Sequence, residues 1–123
     1  MSGSKIFIDT NIAIYLLGGD SSLAEVLNHK RVYLSFISQL ELLGYHGITQ
    51  KQQQQIEYML ENCVIIDINN KIKQEAILLR RKYKIRLPDC IVAATALHMD
   101  LPLITSDKGF DKIEELNLML YEK

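Results

Sequence analysis

Lys5-Ile6-Phe7-Ile8-Asp9-Thr10-Asn11-Ile12 is the stretch on which the architecture turns. Ile6, Phe7 and Ile8 are apolar at consecutive positions, so the segment reads as a strand buried on both faces, not a half-exposed one that alternates. A helical pattern follows through Ile12 to Leu17 and stops at Gly18-Gly19, as helices that end on glycine do. The same alternation recurs along the chain. Strands are expected at Val32–Ser35, Val64–Ile68, Leu103–Thr105 and Leu118–Tyr121. Helices are expected at Ser21–Asn28, Ile37–Tyr45, Gln50–Asn62, Lys71–Tyr83, Pro88–Met99 and Lys108–Leu116. Doubly apolar strands separated by helices predict an α/β fold with a mostly parallel sheet covered on two sides. Sheets of that kind bind ligands beyond the carboxyl ends of their strands, where the chain order reverses.

The 123 residues suit one domain, 1–123, with Met1–Ser4 as a short flexible lead. An apolar share of 48% and a charged share of 24% are those of a soluble globular chain and exclude disorder. No apolar run approaches the ~20 residues that span a bilayer, and no secretory signal opens the sequence, so no membrane partner is expected. Cys63 and Cys90 form no metal-ligand spacing. Both read as buried, reduced thiols, which gives a cytoplasmic expectation. The net charge of -1 supplies no global field for a polyanion, which must be held by a local basic patch or through a metal.

Four acids stand out against this background. Asp9 follows the first strand, where it suits both a helix cap and a ligand-binding carboxylate. Glu41 is expected on one helix face with Ile37, Leu40 and Gly44, a setting in which a carboxylate is costly unless paired or metal-bound. Asp89 shares a face with Val92, Ala93 and Ala96, just after Pro88 in the first turn of a nearly apolar helix. Asp107 follows the strand Leu103–Thr105 and would cap what comes next; Asp111 is a reserve candidate, and Asp67 reads as a cap before Lys71. Gathered carboxylates repel one another and need a cation to stay ionised. Oxygen ligands without His or Cys suit Mg²⁺ or Mn²⁺, the ions of phosphoryl chemistry.

Phe7-Ile8-Asp9-Thr10-Asn11, Ser38-Gln39-Leu40-Glu41-Leu42, Leu87-Pro88-Asp89-Cys90-Ile91-Val92-Ala93-Ala94-Thr95-Ala96 and Ile104-Thr105-Ser106-Asp107-Lys108-Gly109-Phe110 together resemble a known pattern. In order and spacing they are similar to the four acidic motifs of PIN-domain nucleases, VapC-type toxins of toxin–antitoxin systems in particular. The resemblance covers nearly the whole chain. It implies a compact three-layer α/β/α domain, divalent-metal-dependent cleavage of single-stranded RNA, a homodimer, and a cognate antitoxin that occludes the site. Carried over by position, Asp9, Glu41, Asp89 and Asp107 hold the metal directly or through water. Thr10, Asn11 and Thr105 support them by hydrogen bonding.

Arg80-Arg81-Lys82-Tyr83-Lys84-Ile85-Arg86 is the densest basic stretch. It serves either as a solvated helix end or as a phosphate contact surface, with Arg80, Arg81, Lys84 and Arg86 the RNA-binding candidates. His29, His46 and His98 have no partner at catalytic spacing and are expected at the surface. An Asp-x-Asp phosphatase is disfavoured because Asn11 stands where the second acid is needed. A receiver-like module has no use for Glu41 or Asp89. The remaining alternative is a non-catalytic RNA- or protein-binding domain on the same fold.

Overall fold

A computed structural model describes residues 5–123; the lead expected at Met1–Ser4 lies outside the described residues. In chain order it contains β1 (Lys5–Ile8), α1 (Thr10–Leu17), α2 (Ser21–Leu27), β2 (Arg31–Ser35), α3 (Phe36–Leu43), α4 (Gln50–Glu61) and β3 (Val64–Ile66). There follow α5 (Asn70–Lys82), α6 (Leu87–Met99), β4 (Leu103–Thr105), a 3-10 turn (Lys108–Lys112) and β5 (Leu118–Leu120).

The strands form one sheet in the order β3-β2-β1-β4-β5, and each adjacent pair is parallel. The chain steps outward from β1 to β2 and β3, then crosses back through α5 and α6 to β4 on the other side of β1. Its order therefore reverses between β1 and β4, where such a sheet opens a crevice beyond its carboxyl ends. Asp9 directly follows β1, and Asp107 lies two residues past β4.

Side-chain alternation fills two cores. Ile6, Ile8, Leu34 and Ile104 pack with α1, α2 and α4, while Phe7, Tyr33 and Leu103 pack with α5 and α6. Both faces of the central strands are thus covered, which gives the three-layer α/β/α arrangement and explains their unbroken apolar runs. Each fully buried Ile, Leu or Phe side chain contributes about 1.5–3 kcal/mol. On α6, Cys90, Val92, Ala93, Ala94, Thr95 and Ala96 are all buried. Small side chains let this helix lie close to the sheet, and the Thr95 hydroxyl donates to the Ile91 carbonyl at 2.6 Å, so its burial leaves no unmet polar group.

Several expectations need correction. The helix expected at Lys108–Leu116 is only the 3-10 turn Lys108–Lys112, because the chain becomes extended again at Ile113, the turn's C-cap. Asp67 does not cap α5: its carboxylate accepts from the N–H of Ile68 at 2.8 Å, beyond the end of β3, and Asn69 caps the helix by accepting from Ile72. Cys90 is buried as expected, but Cys63 is only half-buried; both are free thiols, and desolvation raises both pKa values. Among the described residues no helix is long and apolar enough to cross a membrane.

The close approach of α6 to the sheet is testable. Ala94→Leu should lower unfolding stability by about 1–3 kcal/mol in urea titrations through overpacking. His98→Ala, on the exposed side of the same helix, should stay within about 0.5 kcal/mol of wild type. Equal stability of the two variants would show that the helix has room to spare.

Candidate metal centre

Asp9, Glu41, Asp89 and Asp107 all line one cavity of about 250 Å³, with Ile14, Val92 and Phe110 among its apolar walls. Asp9 sits deepest, only 6% exposed. It caps α1 by accepting from the N–H of Ile12 at 3.0 Å through Oδ1, while Oδ2 accepts from the Thr105 hydroxyl. The same Thr105 oxygen accepts from the N–H of Asp107 at 3.0 Å. One hydroxyl at the end of β4 therefore sets both strand-end acids. Burial raises the Asp9 pKa; the bonds from Thr105 and Ile12 oppose that rise, and the nearby charges of Asp107 and Asp89 add to it.

Asp107 is held from its other side by the N–H of Gly109, which donates to Oδ1 at 2.8 Å. A Cβ at position 109 would fall 3.0 Å from that oxygen, so any larger residue would press on the carboxylate. Asp89, in the first turn of α6, is half-buried. Its partner is Arg86, whose Nε and Nη2 reach the two carboxylate oxygens at 3.3 and 3.5 Å. The hydrogen bond to Asp89 raises the Arg86 pKa, and the charges of Asp107 and Glu41 add to it, so this exposed guanidinium answers to three of the four acids.

Glu41 is placed at the cavity, but not for the reason its helical position suggests. The buried line of α3 is Ser38 and Leu42, whereas Leu40, Glu41 and Gly44 are exposed. α3 follows β2 with no loop, Ser35 serving as its cap; Ile37 and Leu43 pack partly against the two cores beside buried Ser38 and Leu42, and Glu41 stands at the solvent rim. It is held there by the Thr10 hydroxyl, which donates to Oε1 at 2.5 Å. Ser38, fully buried, lies 2.8 Å from the same Thr10 oxygen and so completes a Ser38–Thr10–Glu41 chain. Sequence reasoning missed Ser38 in this role; a lone hydroxyl on the buried line of a helix was the available signal.

Asn11 also lines the cavity, with an exposed side chain. Asp111 does not line it and faces solvent, and His29, His46 and His98 are exposed. Of the basic candidates only Arg86 reaches the acids. Arg80 and Lys84 line a neighbouring hollow, and Arg81 lines, with Arg80, an apolar one beside Ile77, Leu87 and Ile91. Among the described residues, no three His, Cys, Asp or Glu side chains already stand close enough to hold an ion. The donor chemistry nevertheless fits a hard divalent cation: every acid offers oxygen, and the buried Asp9 sits in a field short of positive charge.

The family model for the PIN domain matches residues 6–116. The chain belongs to the PIN-domain family. Solved structures agree with that assignment. This PIN domain is 31% identical to a chain of a toxin–antitoxin complex from Klebsiella pneumoniae, covering 96% of its own length and 99% of the other chain, with a TM-score of 0.82. It is 26% identical to a chain of VapBC-1 from nontypeable Haemophilus influenzae, covering 94% and 97%, with a TM-score of 0.80. A chain of VapBC2 from Rickettsia felis, bound to a promoter DNA fragment, shares the fold at 20% identity, with coverage of 96% and 99% and a TM-score of 0.84. A sequence search of curated proteins finds no match.

The raised Asp9 pKa fixes the sign of a pH effect in this PIN domain. Its neutral form is favoured by folding, so the stability it contributes is full below the ordinary Asp value and is lost as pH rises through the folded value. Asp9→Asn keeps an oxygen to cap Ile12 and removes the charge. In EDTA it should melt a few degrees above wild type near pH 7.5, the gap closing below about pH 4. Mn²⁺ should raise the wild-type Tm and raise that of Asp9→Asn less. Scanning fluorimetry over pH reads both effects; a wild-type Tm indifferent to Mn²⁺ would count against a metal centre.

Proposed function

We propose that this chain is a Mg²⁺- or Mn²⁺-dependent endoribonuclease that hydrolyses single-stranded RNA, acting in the cytoplasm as the toxin of a toxin–antitoxin pair. The observation that carries the reading is one cavity at the reversal point of the sheet lined by four carboxylates, from the residue after β1, from α3, from α6 and from the segment after β4. Asp9, Glu41, Asp89 and Asp107 would hold the ion, which when bound would polarise the phosphodiester and lower the pKa of the attacking water.

The chain's own residues do the rest. Thr105 and the N–H of Ile12 occupy one lone pair on each Asp9 oxygen and leave the others free to face the cavity. Thr10 and Ser38 hold Glu41 against a rim where it would otherwise wander with solvent. Arg86 balances charge at Asp89 and stands ready to meet a phosphate as a fork of donors.

The antitoxin is proposed from the complexes in which the Klebsiella and Haemophilus relatives were solved. An apolar groove of about 320 Å³, lined by Leu17, Leu42, Tyr45 and Ile56, shares Ile14 and Glu41 with the acid cavity. A partner segment seated in it would cover the acids. A homodimer is also part of this reading, supported by Ile77, Leu78 and Leu87, each more than half exposed on α5 and α6 in the single chain.

A second reading, a non-catalytic RNA- or protein-binding domain, is favoured by one observation: among the described residues no three acids already stand within reach of a shared ion. Cleavage separates the two. With Mn²⁺ the wild type should cut single-stranded RNA, EDTA should stop it, and Asp9→Asn and Asp89→Asn should each lower the rate by at least about a hundredfold while remaining folded. RNA left intact by freshly folded wild type in either metal would leave only the binding-domain reading.

A further inference from the structure

The acid cavity has two neighbours of opposite character. On the α1–α4 side lies the apolar groove, which has no Lys or Arg in its lining. On the α5–α6 side lie two hollows that lead to the acids in sequence. The outer one, about 390 Å³, is lined by Arg80, Tyr83, Lys84, Ile85 and Arg86. The inner one, about 180 Å³, is lined by Lys84, Arg86, Asp89, Phe110 and Lys112, among others. Lys84 and Arg86 belong to both hollows. Arg86, Asp89 and Phe110 then carry the inner hollow into the acid cavity.

We propose that this trough, lined by Arg80, Lys84, Lys112 and Arg86, grips the phosphate backbone of single-stranded RNA and leads it to the acids from the α5–α6 side. The proposal rests on the ribonuclease reading and names the path its substrate takes. Three features favour a polyanion here. Three of the four cations are outside any ion pair: among the described residues the ion pairs are Lys82–Glu115 and Arg86–Asp89, so Arg80, Lys84 and Lys112 are in none. The trough is braced across its width, because Lys112 Nζ from the 3-10 turn donates to the Lys84 carbonyl at 3.3 Å. Its outer wall is fixed as well, since the Tyr83 hydroxyl donates to Glu115 at 2.6 Å. The lone acid in its lining, Asp89, is already matched by Arg86.

Nucleic acid fits this surface better than an acidic polypeptide does. The row of cations ends at the residues proposed to cleave a phosphodiester, so one strand would satisfy both. In a chain of net charge -1, such a row supplies locally the attraction the whole molecule lacks. Arg80 also lines the apolar hollow beside the trough, whereas Arg81 lines that hollow alone and neither hollow of the trough, so Arg81 serves as an internal control.

The test measures binding of a fluorescein-labelled single-stranded RNA dodecamer by anisotropy in EDTA, so that binding is read without cleavage. Each phosphate contact adds about 0.7 to the slope of log affinity against log salt for single strands. Lys84→Gln/Lys112→Gln should lower that slope by about 1.4 and weaken binding about tenfold at 0.1 M salt. Arg81→Gln should change neither. Lys84→Gln alone, which leaves the bond to the Lys84 carbonyl intact, should lose half of the slope change and guards against misfolding of the double variant. Wild type that binds no RNA in EDTA, unaltered slopes in the Lys84 and Lys112 variants, or an acidic peptide bound in preference to RNA would each overturn the proposal. Cleavage by wild type in Mn²⁺ is scored separately: RNA bound through the trough but never cut defeats the ribonuclease reading alone, and normal cutting with unaltered binding in the variants defeats the trough alone.

Discussion

Everything at the centre of this molecule follows from one placement, a carboxylate buried at the end of the middle strand. Asp9 is 6% exposed, and burial together with the neighbouring Asp107 and Asp89 raises its pKa, so its surroundings disfavour its charge. A core built for stability alone would put an apolar side chain or an amide there. The fold instead meets the cost with directed hydrogen bonds, from Ile12 on one oxygen and Thr105 on the other. Those bonds also fix where the remaining lone pairs point. The residue that strains the core is thus also held by a hydrogen bond on each of its carboxylate oxygens.

The architecture was largely legible because strand burial leaves a mark that a single sequence carries. Ile6-Phe7-Ile8 and Leu103-Ile104-Thr105 are buried throughout, and such runs between helices leave few topologies open. Asp89 stood out because a charge inside apolar sequence is an anomaly with few explanations, and Asp9 because it directly follows a doubly apolar strand, where a parallel sheet places its ligands. Glu41 is a different case: it lies at the cavity although the face inferred for it was the solvent face. In an eight-residue helix the pattern Ile37/Leu40 and the pattern Ser38/Leu42 both offer a face, and the structure buries the second while Leu40 is left exposed.

What could not be read from the sequence depends on contacts between distant segments. Thr10 was expected to support the acids, but nothing near it announces that Ser38 backs it or that the acid it holds is Glu41, 31 positions away. Arg86 was visible as one cation in a basic run, yet its pairing with Asp89 separates it from Arg81, which turns toward another surface. The helix expected after β4 shrank to a 3-10 turn. That shorter turn carries Lys112 to the Lys84 carbonyl, a contact that joins segments 28 residues apart.

The bond between Thr105 and Asp9 joins positions 96 apart in a chain of 123. Most of the polypeptide must therefore leave the ribosome before the central acid acquires its partner, and the closure is a late, high-contact-order event. A nascent or truncated chain that stops short of β4 has β1 and its carboxylate but neither the strand beside it nor Asp107. Any chain that stops before β4 therefore lacks both the hydroxyl that orients Asp9 and the carboxylate of Asp107.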